Sequence, residues 1–91
     1  MNQAIEQKFY LGQIVYFIES RAGQLCIESM QIFKAKLTKR LEQIMYSGTM
    51  IIGGDTDEGH YWENRLYPSY EASLNEIERQ LNELRIKRGV S

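Results

Sequence analysis

Apolar positions along the chain fall into two regimes. Near the start they are dense: Phe9-Tyr10-Leu11 and then, past Gly12-Gln13, the run Ile14-Val15-Tyr16-Phe17-Ile18. A β-branched and aromatic run bounded by a glycine predicts a strand over about 13–19. Ser20-Arg21-Ala22-Gly23 reads as a hairpin turn, so a second strand starts at about 24. Near the end the period changes. Tyr70, Leu74, Ile77, Leu81 and Leu84 recur at spacings of 4, 3, 4 and 3, one face of a helix. Pro68 keeps Tyr67 out of the helical region, and Ser69 is a capping residue type. Glu71, Glu76 and Glu78 lie toward the start, Arg85, Lys87 and Arg88 at the end, and Gly89 stops the run. Acid first and base last complements the helix dipole, so a helix is predicted over about 69–88.

Between these regimes, residues 24–47 fit two patterns. As a helix, Ile27, Met30, Phe33, Leu37, Leu41 and Ile44 form an apolar stripe. As strands, Leu25 and Ile27 alternate, Met30 and Ile32 follow out of phase, and Phe33, Ala35 and Leu37 shift phase again. Each shift would need a bulge. Context favours strands, because the segment leaves a tight turn from a clear strand and a lone strand needs partners. Two strands are predicted, at about 24–37 and 40–47. Gly48 is expected to break the chain, with Thr49–Ile52 a short separate strand ended by Gly53-Gly54. Asp55–Gly59 reads as a polar loop, His60–Leu66 as a strand, and residues 1–8 as a flexible start. The architecture expected is α+β: a small antiparallel sheet or SH3-like barrel with a long C-terminal helix, one domain over 1–91.

Composition narrows the function classes. Eleven basic and twelve acidic side chains give a net charge of −1, which excludes a histone-like basic protein and an acidic DNA mimic. The balance hides two halves: residues 1–54 carry net +2 and residues 55–91 net −3. A chain this short buries only about 60–65% of its unfolded surface, so docking on a partner or on a second copy is expected. The longest apolar run is five residues, too short to span a bilayer, and no signal peptide is evident. One cysteine cannot form an internal bridge, and a cytoplasmic protein is expected.

Candidate chemistry is sparse. His60 is the only imidazole, with Asp55, Asp57 and Glu58 near it in sequence, and it reads better as a strand-edge side chain beside a solvated loop than as a general base or metal ligand. Cys26 lacks a basic neighbour and reads as a small buried hydrophobe. No phosphate loop follows Gly53-Gly54. Lys34, Lys36, Lys39 and Arg40 form the main basic cluster, which could grip single-stranded nucleic acid beside aromatic side chains. Six of the ten aromatic residues are tyrosines, a type favoured at interfaces. The Tyr70, Leu74, Ile77, Leu81 and Leu84 stripe has the spacing of a helix pair in a dimer, or of a helix packed on its own sheet.

Two stretches carry a family likeness: Phe9–Ile18 with its Gly12-Gln13 turn, and Tyr61-Trp62-Glu63-Asn64-Arg65-Leu66-Tyr67-Pro68-Ser69-Tyr70-Glu71-Ala72. Over about half its length the chain resembles small uncharacterised proteins of bacteriophages and other mobile elements, which have an SH3-like strand cluster and a terminal helix. The resemblance implies an accessory protein acting on a host factor, a defence factor among them. Together these readings lead to a non-enzymatic protein-binding module. Its expected contacts are Tyr61, Trp62, Tyr46 and Tyr67, with no cofactor or metal, and the alternative is a nucleic-acid-binding barrel using the 34–40 segment.

Overall fold

The computed structural model describes residues 7–38, 42–52 and 55–87. Four strands, β1 (Ile14–Arg21), β2 (Gln24–Thr38), β3 (Gln43–Ile52) and β4 (Asp55–Trp62), are followed by a 3-10 turn at Glu63–Arg65 and a helix, α1 (Tyr70–Lys87). The strands form one antiparallel sheet in the order β1-β2-β3-β4. Ala22 and Gly23 both take positive φ, 49° and 78°, between the paired residues Arg21 and Gln24. A two-residue turn of this primed type matches the twist of the strands it joins.

The described part of the ambiguous middle is strand except at Glu42, a turn residue with φ of 51° just before β3. Of the two phase shifts in β2, one is a bulge: the register slips between Ile32 and Lys34 and leaves Phe33 unpaired. The other is a change of face. Ile27 pairs with Ile18 on the outer face, whereas Met30 and Ile32 point into the core. Both faces of β2 carry apolar residues because α1 packs against β1 and β2 on one side and the core lies on the other.

Three expectations are corrected. Gly48 does not break the chain, and β3 runs through it to Ile52. A Cβ at Gly48 would lie 2.8 Å from the Gln31 carbonyl oxygen and 2.9 Å from Met30, so the glycine serves a close approach within the sheet and not a turn. The Asp55–Gly59 segment is the first half of β4, paired with β3 from Ile52 to Gly48. The strand expected to reach Leu66 ends at Trp62, where the 3-10 turn begins. Of the expected flexible start, residues 1–6 lie outside the described residues, and the Lys8 N–H donates to Glu63 at 3.1 Å.

The inner face of the sheet carries Val15, Phe17, Met30, Ile32, Ile44, Tyr46 and Met50, closed over by Phe9 and Leu66. The sheet coils tightly around them. In a flat sheet β1 and β4 would stand about 14 Å apart, yet the rings of Phe17 and Tyr61 stack at 4.3 Å. The Tyr61 hydroxyl also donates to Glu19 at 3.1 Å, again from β4 to β1. The sheet nevertheless stays open instead of closing into a barrel. Among the described residues, the outer edge of β1 is met only by Tyr67, which exchanges backbone hydrogen bonds of 2.9 and 2.8 Å with Tyr16. Pro68 follows at once; it has no N–H to donate and turns the chain toward α1.

Ser69 caps α1, its Oγ accepting from the Ala72 N–H at 3.1 Å. The helix meets the sheet through Ala72, Ser73, Glu76, Ile77 and Gln80, the positions that are buried or half-buried. Small side chains at 72 and 73 let the helix approach the strands closely. The Tyr16 ring meets Tyr70 edge-on at 6.2 Å. The heptad stripe therefore packs on the chain's own sheet only in part: Ile77 is half-buried and Tyr70 meets Tyr16, while Leu74, Leu81 and Leu84 are exposed.

Candidate functional site

Four aromatic side chains were expected to meet a partner, and the fold gives them different roles. Tyr46 lies on the inner face of β3 with 0% of its surface exposed, which removes it from any contact surface. Its hydroxyl donates to Glu63 Oε2 at 2.6 Å and accepts from the Phe9 N–H at 3.2 Å. The Lys8 N–H reaches the same carboxylate oxygen, and the Phe9 ring meets Tyr46 edge-on at 5.4 Å. Burial, and then the bond to the Glu63 carboxylate, pushes the Tyr46 phenol up to about 12. Tyr46 and Glu63 thus form a clamp that ties residues 8–9 and the 3-10 turn to β3. Tyr61 is half-buried against Phe17; burial and its bond to Glu19 push its phenol up to about 12 as well.

Trp62 and Tyr67 each line a cleft at the surface. Trp62 ends β4, is half-buried, and lines a cleft of about 130 Å³ with Glu42, Gln43, Ile44, Glu63 and Asn64. The clamp acts on the residue next to it, since Glu63 holds the turn that begins where Trp62 ends the strand. Tyr67 is also half-buried, and burial, then the nearby Glu76 carboxylate, raises its phenol. It lines a second, more polar cleft of about 350 Å³ with Ile18, Ser20, Leu25, Arg65 and Gln80. The turn at 63–65 separates the two clefts along the chain.

Of the basic cluster, Lys34 and Lys36 are exposed, while Lys39 and Arg40 lie outside the described residues. Cross-strand pairing places Lys34 in a row with Ser47 and His60, and Lys36 in a row with Met45 and Trp62. Both lysines therefore share the outer sheet face with Trp62.

Of the three acids near His60 in sequence, Glu58 reaches it and the two aspartates do not. Asp55 and Asp57 stand an odd number of residues from it on β4 and so project from the opposite face. Instead its Nδ1 lies 2.7 Å from Ser47 Oγ, and its Nε2 lies 3.3 Å from Glu58 Oε2. Serine, imidazole and carboxylate are the residue types of a nucleophilic triad. However, Ser47 is only 7% exposed, on an interior strand, so its hydroxyl is not open to a substrate. The contact aligns β3 with β4 and leaves His60 and Glu58 in solvent. Cys26 is half-buried on β2, and among the described residues no cluster of three or more His, Cys, Asp or Glu could hold a metal.

Sequence reasoning singled out Trp62 and Tyr67 but missed Glu63 and Ser47. Glu63 carries no local signal, because its partners lie 17 and 55 residues away. Ser47 pairs with His60 only once the β3–β4 register is known. No family model matches the chain, and neither does any curated protein or solved structure. Among the described residues, no helix is long and apolar enough to cross a membrane.

Proposed function

We propose that this protein is a non-enzymatic binding module whose contact with a partner protein centres on Trp62. One observation carries the reading. A half-buried tryptophan walls an open cleft floored by Ile44 and rimmed by Glu42, Gln43, Glu63 and Asn64. An apolar centre with a polar rim is the anatomy of a protein–protein hot spot, and tryptophan is the residue type most enriched there. The Tyr46–Glu63 clamp pre-orders the rim, which lowers the entropy cost of binding. Four meandering strands, a 3-10 turn and a return to β1 at Tyr67 support the SH3-like expectation, with the last strand cut to a single bridge. The likeness to mobile-element proteins makes a host protein, met in the cytoplasm, the class of partner, with occlusion of that protein the mode of action.

The test compares the wild-type chain with Trp62→Ala as affinity baits in host cytosol. A protein retained by the wild type and lost by Trp62→Ala, with the variant's melting temperature unchanged, supports the reading. Equal retention by both baits removes Trp62 from the site.

Nucleic-acid binding is the second reading, favoured by the placement of Lys34 and Lys36 on the face that carries Trp62. Stacking of a base on the indole with phosphates on the two lysines would be steeply salt-dependent. Glu42, Glu58 and Glu63 near the same residues weaken it. Filter retention of single-stranded oligonucleotides at low salt, lost in Lys34→Glu/Lys36→Glu, would establish it; no retention at low salt would exclude it.

A further inference from the structure

Tyr70, Leu74, Leu81 and Leu84 of α1 are 40–53% exposed. Gln80 is half-buried, residues 81–84 are all exposed, and the backbone remains helical to Lys87. Residues 81–84 thus draw no support from the sheet. A helical segment shorter than about 12–15 residues is marginal in water on its own. Among the described residues, Arg79 braces this side of the helix, paired with Glu76 at 2.5 Å and with Glu83.

We propose that this stripe is covered by α1 of a second copy of the chain, the two helices running antiparallel about a two-fold axis. The 4-3-4-3 spacing supplies two heptads of seam positions, Leu74 and Leu81 in one row and Tyr70, Ile77 and Leu84 in the other. Charge complementarity selects both the occupant and its direction. The positions flanking the seam on one side are Glu71, Glu78 and Arg85. Antiparallel pairing brings position 71 of each copy to position 85 of the other, acid against base at both ends of the seam, and these two pairs outweigh the single like-charge contact of Glu78 with its own counterpart at the middle. Parallel pairing would set Glu78 against position 73, a serine, and Arg85 against position 80, a glutamine, with no ion pair. The opposed helix dipoles favour the antiparallel arrangement further. Two heptads make a seam smaller than a standard interface, so the dimer forms reversibly, with a dissociation constant on the order of micromolar. The pairing needs nothing from the Trp62 cleft, and it would display two such clefts on one particle.

Sedimentation equilibrium of the full chain from 1 to 500 µM tests this (about the range a micromolar dimer requires). A monomer–dimer equilibrium is expected. Leu81→Glu should raise the dissociation constant at least about 100-fold while the circular dichroism of the monomer stays unchanged, since Leu81 is exposed within one copy. Glu71→Lys and Arg85→Glu should each weaken the dimer several-fold, and the two together should recover most of the wild-type affinity, because the swapped charges meet again across the seam. A monomer at every concentration overturns the proposal. So does a dimer indifferent to Leu81→Glu, or a double variant weaker than either single one.

Discussion

Replacing Tyr46 with phenylalanine keeps the ring and removes one oxygen. Two bonds go with that oxygen: the 2.6 Å bond donated to Glu63, and the 3.2 Å bond accepted from the Phe9 N–H. A hydrogen bond to a charged group is worth about 1.5–3 kcal/mol net, and a buried N–H left unpaired costs about 1–3 kcal/mol. Glu63 is half-buried and can be partly rehydrated, so the two do not add in full. A loss of about 3 kcal/mol is expected at neutral pH, which lowers the melting temperature of a domain this size by about 12–24 °C. The assay is urea and thermal unfolding of the wild type, Tyr46→Phe, Glu63→Gln and the double variant. Tyr46 and Glu63 share a bond, so the double variant should cost less than the sum of the singles. The pH dependence gives an independent check. Folding raises the Tyr46 phenol from its ordinary 10.0 to about 12. Its contribution is therefore complete below pH 10 and disappears as pH rises through about 12. The stability gap between wild type and Tyr46→Phe should shrink across that window, by up to about 2.7 kcal/mol. A gap under about 0.5 kcal/mol at neutral pH, additive single variants, or a gap that does not change with pH would refute the clamp.

Gly48→Ala should destabilise by about 1–3 kcal/mol, because the new methyl meets a backbone carbonyl that cannot move cheaply. Gly59→Ala should cost less, since its nearest obstacles are the flexible end of Met50 and the Tyr61 ring; the order of the two midpoints in urea checks this. Ser69→Ala removes the cap of α1 and should cost about 1 kcal/mol, read as a lower melting temperature and reduced ellipticity at 222 nm. An unchanged melting temperature would mean that the α1 entry is held by the Tyr16–Tyr67 bridge alone.

Local chemistry determined much of this protein from its sequence. The β1 run, the two-residue turn at Ala22-Gly23 and the Ser69 cap depend on residues within a few positions of one another, so the α+β class and the start of α1 were legible, while the stop expected at Gly89 lies outside the described residues. Periodicity in 24–47 could not separate strand from helix, because β2 carries apolar side chains on both faces and a bulge at Phe33 breaks its phase. The polar Asp55–Gly59 segment reads as a loop because half of an edge strand faces water. Pairing with β3, which no local signal encodes, makes it a strand. Tertiary structure alone decided the roles of the aromatic residues. Tyr46, Tyr61, Trp62 and Tyr67 are of similar character in sequence. Coiling of the sheet buried the first, braced the second against Phe17, and left the last two lining clefts. The stripe on α1 was visible as a spacing, but its direction was not. The Tyr67 bridge and the small side chains at 72 and 73 turned a different side of the helix to the sheet, and so left the leucines of the stripe facing solvent.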